Sequence, residues 1–404
     1  MLAELALAAF SVLVSTGWLL VTAVSERNRG KVRPLPRPEV NCDLGERVSV
    51  VIPVRNGERT IGRALESVTS QEGVRLEVVV VDDGSTDGTA GVAARYVGRG
   101  AVYLLARERP DGWMGKSWAC LEGYKASNGG WLVFMDADVE LLDRHVLRDA
   151  LCLARSEGLS AVSLMPRLRA DSTASKVMLP ALYELLYVLA PPYKTTDPSS
   201  DIAFFFGAFI AVRREVYEKT GGHEAIRGML LDDKSLGELI KSSGHRVALL
   251  DASDRFVAAF AGGLRGHVNG LLRLFTQYTV ESVGQRGWIK GLLSMMKYLA
   301  GAVLALLPPV ALPVIAVALD LPIYAKLLSL LPLTAVVAGH YRTAKSIGIS
   351  GAYALATPLA HLVIFSTLLH VAAQATWGKL VVRWHGRKYV YDIRGGKGVA
   401  LLTG

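Results

Sequence analysis

Apolar residues are spread along this chain in two different ways. Between residues 47 and 262 they come as short β-branched runs separated by amphipathic stretches, whereas over residues 2–24 and 291–376 they run almost unbroken. Val48–Ile52 (VSVVI) predicts a buried strand ended by Pro53, and Glu58–Ser70 then places Ile61, Leu65 and Val68 on one helical face. Leu76–Val81 (LEVVVV) predicts a second strand, closed by the polar turn Asp82–Asp87. A helix over Thr89–Val97, a strand over Val102–Ala106, a helix over Ser117–Ala126 and a strand over Trp131–Met135 continue the series. Such alternation argues for a parallel sheet covered by helices, whose ligands sit at the carboxyl ends of the strands. Ile202–Val212 (IAFFFGAFIAV) is too short to cross a bilayer and predicts a buried strand. Leu179–Ala190 is amphipathic, with Tyr183 and Tyr187 one turn apart, a pattern that suits a membrane surface and a protein core equally.

The unbroken apolar runs need a different solvent. Residues 2–24 match the roughly 20 residues that cross a hydrocarbon core. A cleaved signal peptide would carry its cations before the apolar run, but here Arg27, Arg29, Lys31, Arg33 and Arg37 follow it. That order predicts an uncleaved anchor with residues 25 onward in the cytoplasm. Residues 291–340 hold two apolar stretches, interrupted at Pro308-Pro309 and at Asp320–Pro322, and 351–376 hold a third. Three crossings would put the tail, with its Trp384-His385-Gly386-Arg387-Lys388-Tyr389 segment, outside. A re-entrant turn at Pro308-Pro309 would return it to the cytoplasm, the side favoured here.

Composition agrees with two regimes: 51% of residues are hydrophobic and mean hydropathy is +0.32. The net charge of +9 invites a nucleic-acid reading. The cations instead flank apolar helices, where anionic headgroups attract them, and no recognised nucleic-acid motif is present. The three cysteines, Cys42, Cys120 and Cys152, lack metal-type spacing, and free or buried thiols in a reducing compartment are expected.

Chemistry gathers at the predicted strand ends. Carboxylates of Asp82-Asp83-Gly84-Ser85-Thr86-Asp87 can accept hydrogen bonds from the N–H groups of a nucleobase, with Gly84 letting the backbone turn closely, although Ser, Thr and Asp also cap helices. The strand Trp131–Met135 ends in Asp136-Ala137-Asp138, a spacing that aims one carboxylate at a ribose and the other at a hard divalent cation such as Mg²⁺ or Mn²⁺.

Together VSVVIPVRNGE, VVVVDDGSTD and MDADVE resemble family 2 glycosyltransferases, which use a single GT-A nucleotide-sugar domain. GWMGKSWAC at 112–120, GAFIAVRREVYEKTGGHEAIRG at 207–228 and LLDDKSLGELIKSSGHRV at 230–247 further resemble the hopene-associated subgroup. The resemblance implies that Pro53, Asn56 and Glu58 line the nucleoside pocket. It implies also that Asp83 contacts the base, Asp136 approaches the ribose or sugar, and Asp138 ligates the metal. Lys116, at a helix start, would face the diphosphate; a solvated first-turn lysine is the alternative. Asp232-Asp233 matches the family's acidic pair, with Asp for the usual Glu at the first position. Asp233 would be the catalytic base, and helix capping explains one of the two as well. On the acceptor side lie Asp232, Gly207 and Ala208, the last two on a strand with room for substrate. Trp113 would cover sugar or lipid unless it is simply packed. Gln285-Arg286-Gly287-Trp288 lacks the Gln-x-x-Arg-Trp spacing of processive synthases, which implies single transfers.

The expected fold is α/β: a GT-A, Rossmann-like nucleotide-sugar-binding domain with N- and C-terminal transmembrane helices. Its expected parts are an anchor (1–25), a basic Pro-rich linker (26–46), the GT-A domain (47–262), an interfacial amphipathic segment (263–290), transmembrane helices (291–378) and a basic tail (379–404). The expected function is inverting transfer from a nucleotide-diphosphate sugar, UDP-linked, to a membrane lipid hydroxyl at the cell membrane. A polyprenyl-phosphate sugar synthase and a non-catalytic polysaccharide-export or scaffold protein are the alternatives.

Overall fold

A computed structural model describes residues 2–37, 42, 44–98, 100–259, 262–384, 386–394 and 399–403. Pro38 of the linker and His385 of the tail segment lie outside the described residues. The chain divides into two compact units, one of residues 30–169 and 190–259, the other of residues 1–29, 170–189 and 260–404. Strands and helices are numbered in chain order.

The first unit is built on one sheet, ordered β3-β2-β1-β4-β8-β6-β9. Its strands are β1 (Arg47–Val54), β2 (Arg75–Asp82), β3 (Ala101–Leu105), β4 (Trp131–Phe134), β6 (Ala161–Met165), β8 (Ile210–Arg213) and β9 (Val247–Asp251). The β-branched runs explain the centre: β1 is buried from Val48 to Val54, with apolar side chains on both faces. β1 lies parallel to β2 and β4, in register Val54↔Asp82 and Val51↔Phe134. All three therefore end at the same edge. β8 runs antiparallel to β4, Phe134 facing Ile210, so the residues entering β8 reach that edge too. A small sheet of β5 (Val139–Leu141), β10 (Phe256–Ala259) and β7 (Arg167–Arg169) flanks it.

Helices cover both faces: α2 (Ile61–Thr69), α3 (Thr89–Ala94), α4 (Gly115–Lys125), α5 (Val146–Ser156), α7 (Arg214–Thr220), α8 (Gly222–Ala225) and α9 (Asp232–Ser242). α2 buries Ile61, Ala64, Leu65 and Val68 on one face. α4 comes close to the sheet at Gly123, where a Cβ would stand 2.3 Å from a Val51 methyl.

Three sequence expectations change. Only Ile210–Arg213 of the apolar run 202–212 is strand, and Ile202–Phe209 is a packed loop. Phe205 and Phe209 are buried all the same, because the loop itself enters the core. The linker is partly docked: Leu35 N–H donates to Asp251 O at 2.7 Å and Asp251 N–H to Arg33 O at 2.8 Å, covering the open edge of β9. Finally, Cys42 and Cys152 form a disulfide, Cα–Cα 6.0 Å, because residue 42 lies against α5, and only Cys120 is free and buried. The expectation of free thiols fails for that pair.

The second unit is a helical bundle of α1 (Leu2–Arg29), α6 (Thr173–Leu189), α10 (Gly263–Arg286), α11 (Trp288–Leu306), α12 (Pro308–Ala318), α13 (Ile323–Ser329), α14 (Leu331–Ser346) and α15 (Thr357–Thr376). Four helical stretches, 4–29, 288–306, 323–346 and 351–376, are long and apolar enough to span a membrane, and Pro308–Ala318 is shorter. Leu13, Leu20, Val317 and Leu359 project outward as a lipid-facing surface would require. Val14, Trp18, Met178, Ala335 and Ile364 fill the interior. Inside it the carboxylate of Glu184 meets His340 Nε2 at 3.1 Å and accepts from Thr343 Oγ1 at 3.2 Å. The tail forms a sheet of β11 (Lys379–Trp384), β12 (Arg387–Asp392) and β13 (Val399–Thr403), with the Arg273 guanidinium 4.0 Å over the Trp384 ring.

Candidate active site

Two loops at the common strand edge are stitched together by their own side chains. After β1 the chain turns at Asn56, whose φ of +53° is one that Asn tolerates better than most residues. Asn56 N–H donates to Ser85 Oγ at 2.8 Å, and its Oδ1 accepts from Thr86 N–H at 2.8 Å. Glu58 answers from the same loop: its N–H donates to Asp87 Oδ2 and its Oε2 accepts from Gly88 N–H, both at 3.1 Å. The polar side chains of Asn56 and Glu58 thus brace the 82–88 turn. Pro53 sits within β1 opposite Val81.

In the turn itself, Asp82 accepts from Ser85 N–H at 2.7 Å and from Tyr103 Oη at 2.6 Å, which occupies it structurally. Asp83 is buried; its N–H donates to Val54 O at 2.9 Å and its carbonyl accepts from Arg55 Nη1 at 2.5 Å. Gly84 has φ +73°, the conformation its lack of a Cβ permits. Burial pushes the Asp87 carboxyl upward, but hydrogen bonds from Thr89 and Glu58 outweigh it and leave the group below its usual range.

A second knot joins residues far apart in sequence. Lys116, in the first turn of α4, sets its ammonium 2.7 Å from Asp136 Oδ1 and 3.1 Å from Asp232 Oδ2. Burial opposes that charge, yet Asp136, Asp232 and Asp233 around it raise the Lys116 pKa well above its ordinary value. A solvated first-turn lysine is therefore not what is found. Asp233 Oδ2 accepts from Gly207 N–H at 3.2 Å and its Oδ1 from Lys234 N–H at 2.8 Å. Gly207 is the pivot: a Cβ there would stand 2.8 Å from Lys116 Nζ, 3.2 Å from Asp136 Oδ2 and 3.3 Å from Asp233 Oδ2. Ala208 follows, buried, at the entrance to β8.

Asp138 is half-buried. Burial, reinforced by the neighbouring Asp136 and only partly offset by Lys116, pushes its carboxyl up to about 7. Asp136 and Asp138 carry the hard oxygen atoms that a divalent cation takes; among the described residues no group of three or more His, Cys, Asp or Glu is gathered for one. Trp113 is buried against Trp118, ring centroids 5.2 Å apart and edge to face, with Leu121 beside them. Its neighbour Met114 donates to Arg227 O at 2.7 Å, joining this loop to the segment that leads into α9.

Behind the knot lie groups that sequence reasoning passed over. The buried Cys120 thiol, one turn after Lys116, is pushed upward by burial. His223, brought down to about 4 by burial, meets Tyr217 Oη at 3.0 Å. The motif containing Gly222-His223 was visible; its packing against Phe134 at the end of β4 was not.

Residues 49–221 match the sequence profile of glycosyl transferase family 2. A 4,4'-diaponeurosporenoate glycosyltransferase from Staphylococcus haemolyticus is 29% identical over 226 residues, 55% of this chain and 59% of that protein. Its Staphylococcus aureus counterpart is 28% identical over 206 residues, 50% and 54% of the two chains. The match thus spans little more than half the length of these curated relatives. Among solved structures, a mannosyltransferase from Pyrobaculum calidifontis, in complex with GDP-Man and Mn²⁺, superimposes with a TM-score of 0.52 at 20% identity, over 92% of this chain and 99% of that one. The shared fold is GT-A.

Proposed function

We propose that this glycosyl transferase family 2 protein is a membrane-bound inverting enzyme that moves a sugar from a nucleoside-diphosphate donor to a hydroxyl of a membrane lipid. One observation carries the reading: Lys116, Asp136 and Asp233 converge on the bare Cα of Gly207, with Asp232 paired to Lys116, at the sheet edge that also holds the Asp82–Asp87 turn. A donor laid along that edge would meet Asp83 at its base, Asp136 at its ribose or sugar, and the Lys116 ammonium beside its diphosphate, with Pro53, Asn56 and Glu58 shaping the nucleoside end.

Asp233 then serves as base. Its carboxylate takes the proton of the acceptor hydroxyl, the oxygen attacks the anomeric carbon from the face opposite the diphosphate, and the carbon–oxygen bond to the nucleoside diphosphate breaks. Gly207 N–H and Lys234 N–H fix the two carboxylate oxygens so that their direction is set before substrate arrives. Lys116 balances charge on the leaving diphosphate without giving up its proton. A divalent cation, Mg²⁺ or Mn²⁺, would neutralise the diphosphate further. The residues fit one, since Asp138 with Asp136 offers hard oxygen ligands whose repulsion a cation relieves.

The acceptor is assigned to the bilayer because the same chain carries four helices apolar enough to span it, and because the curated relatives are named for 4,4'-diaponeurosporenoate. The cations Arg27, Arg29, Lys31 and Arg33, at and beyond the end of α1, favour the cytoplasmic side for the catalytic unit. A UDP-linked donor is the first to test.

Asp233→Asn decides the acceptor's chemistry. With an alcohol acceptor, transfer of label from nucleotide sugar to extracted lipid falls by about 10³-fold or more while donor binding persists. A polyprenyl-phosphate acceptor, already anionic, needs no base, and full activity in Asp233→Asn would replace the hydroxyl reading with that one. A wild-type protein that transfers from no nucleotide sugar, with metal and lipid supplied, would favour a scaffold.

A further inference from the structure

The loop 190–207 enters the site at Gly207, and one lysine gathers the backbone of its first part. Lys241, in the last turn of α9, directs its Nζ to four backbone carbonyls: Lys194 at 2.9 Å, Thr195 at 2.9 Å, Asp197 at 2.8 Å and Ile202 at 2.8 Å. An ammonium has three protons, so this is a cage that shares them rather than a set of simple hydrogen bonds. Two of those carbonyls close a short 3₁₀ turn over Pro192–Thr195, where positive charge is favoured. Thr195 Oγ1 in turn accepts from Phe204 N–H at 2.8 Å, carrying the constraint along the loop.

The same helix touches the loop twice more. Asp233, Gly237 and Lys241 recur at intervals of four and so share one stripe of α9. Gly237 makes room for the Phe205 ring, which a Cβ there would approach to 3.0 Å, and Asp233 accepts Gly207 N–H at 3.2 Å. One helix face thus holds the loop at its base, its middle and its active end.

We infer that Lys241 is a positioning residue for glycosyl transfer: by caging loop carbonyls 194–202 it fixes Gly207, whose N–H orients Asp233 toward the acceptor hydroxyl. This rests on the reading of Asp233 as base. Lys241 itself touches no substrate. It lies about two turns of α9 beyond Asp233, and on the proposed function donor affinity belongs to the Asp82–Asp87 turn and Lys116.

The test is a pair of variants in the full-length protein in detergent or vesicles. Lys241→Met, which keeps the side chain's length without its charge, should lower kcat by about 10²-fold, as a displacement near 1 Å can, with the KM for the nucleotide sugar within twofold. Lys241→Ala should be partly rescued by ammonium or potassium ions, which match the size of the vacated head group, and not by lithium. Hydrogen exchange over residues 194–207, measured without any substrate, should quicken in both variants and slow again with ammonium in Lys241→Ala. The proposal is overturned if kcat is unchanged in Lys241→Met, if the loss appears only as weaker donor binding, or if exchange in the loop is unaltered. Should the wild-type chain prove to transfer no sugar at all, the proposed function fails, and with it Lys241's positioning role in transfer. The exchange data would then still show whether the cage holds the loop.

Discussion

Gly207 shows how little space the site leaves. Gly207→Ala puts a methyl carbon 2.8 Å from the Lys116 ammonium and just over 3 Å from two carboxylates. Transfer should drop by about 10²-fold or more, while circular dichroism and the melting temperature stay close to wild type, since the atoms the methyl meets are the far ends of side chains and not backbone. Asp138 offers a second test, with a sign that follows from its environment. Its folded-state pKa of about 7 lies above the ordinary carboxylate value of about 3.9. Its contribution to stability is therefore complete below pH 4 and is lost as pH rises through 7. In metal-free protein Asp138→Asn should raise the melting temperature at pH 8 and leave it unaltered near pH 4. Because a cation needs the ionised carboxylate, Mn²⁺ affinity should rise by up to about tenfold per pH unit below 7 and level off above it, a dependence that calorimetry would find absent in Asp138→Asn.

At the scale of elements, the turn after β2 and the Asp136–Asp138 segment after β4 were legible because alternating strands and helices fix which end of each strand carries polar residues. The pairing of β8 against β4 was not legible, and it is this antiparallel neighbour that delivers Gly207 to the same edge. Ile202–Val212 misled because aromatic residues bury equally well from a loop, here wedged beside α9 with Phe205 against Gly237. The Lys241 cage left no trace in the sequence, since its partners are backbone carbonyls, which every residue owns. Asn56 and Glu58 were legible as a motif, but their bracing contacts to the 82–88 turn depend on the β1–β2 register. The packing of α4 on the sheet gives a stability test. Gly123→Ala drives a methyl into Val51 and should destabilise the protein by about 1–3 kcal/mol, read from the midpoint of chemical unfolding.

For the whole molecule, hydropathy separates two apolar regimes, and the bundle holds four helices long and apolar enough to span a membrane. The side on which the catalytic unit works is a separate matter, and two features pull in opposite directions. The cations at and beyond the end of α1 argue for the cytoplasm, whereas the Cys42–Cys152 bond belongs more often to oxidising compartments. Labelling intact cells with a membrane-impermeant maleimide, before and after an impermeant reductant, separates them. A cytoplasmic catalytic unit predicts that neither treatment reaches these cysteines; new labelling after reduction places the unit outside. That cross-link also has a topological consequence. It joins positions separated by 110 residues and so encloses β1 to β5 in one covalent circle. A protease that cuts once anywhere inside the circle severs no fragment: the nicked molecule migrates as a single species on a denaturing gel and parts into two bands only when thiol reagent is added.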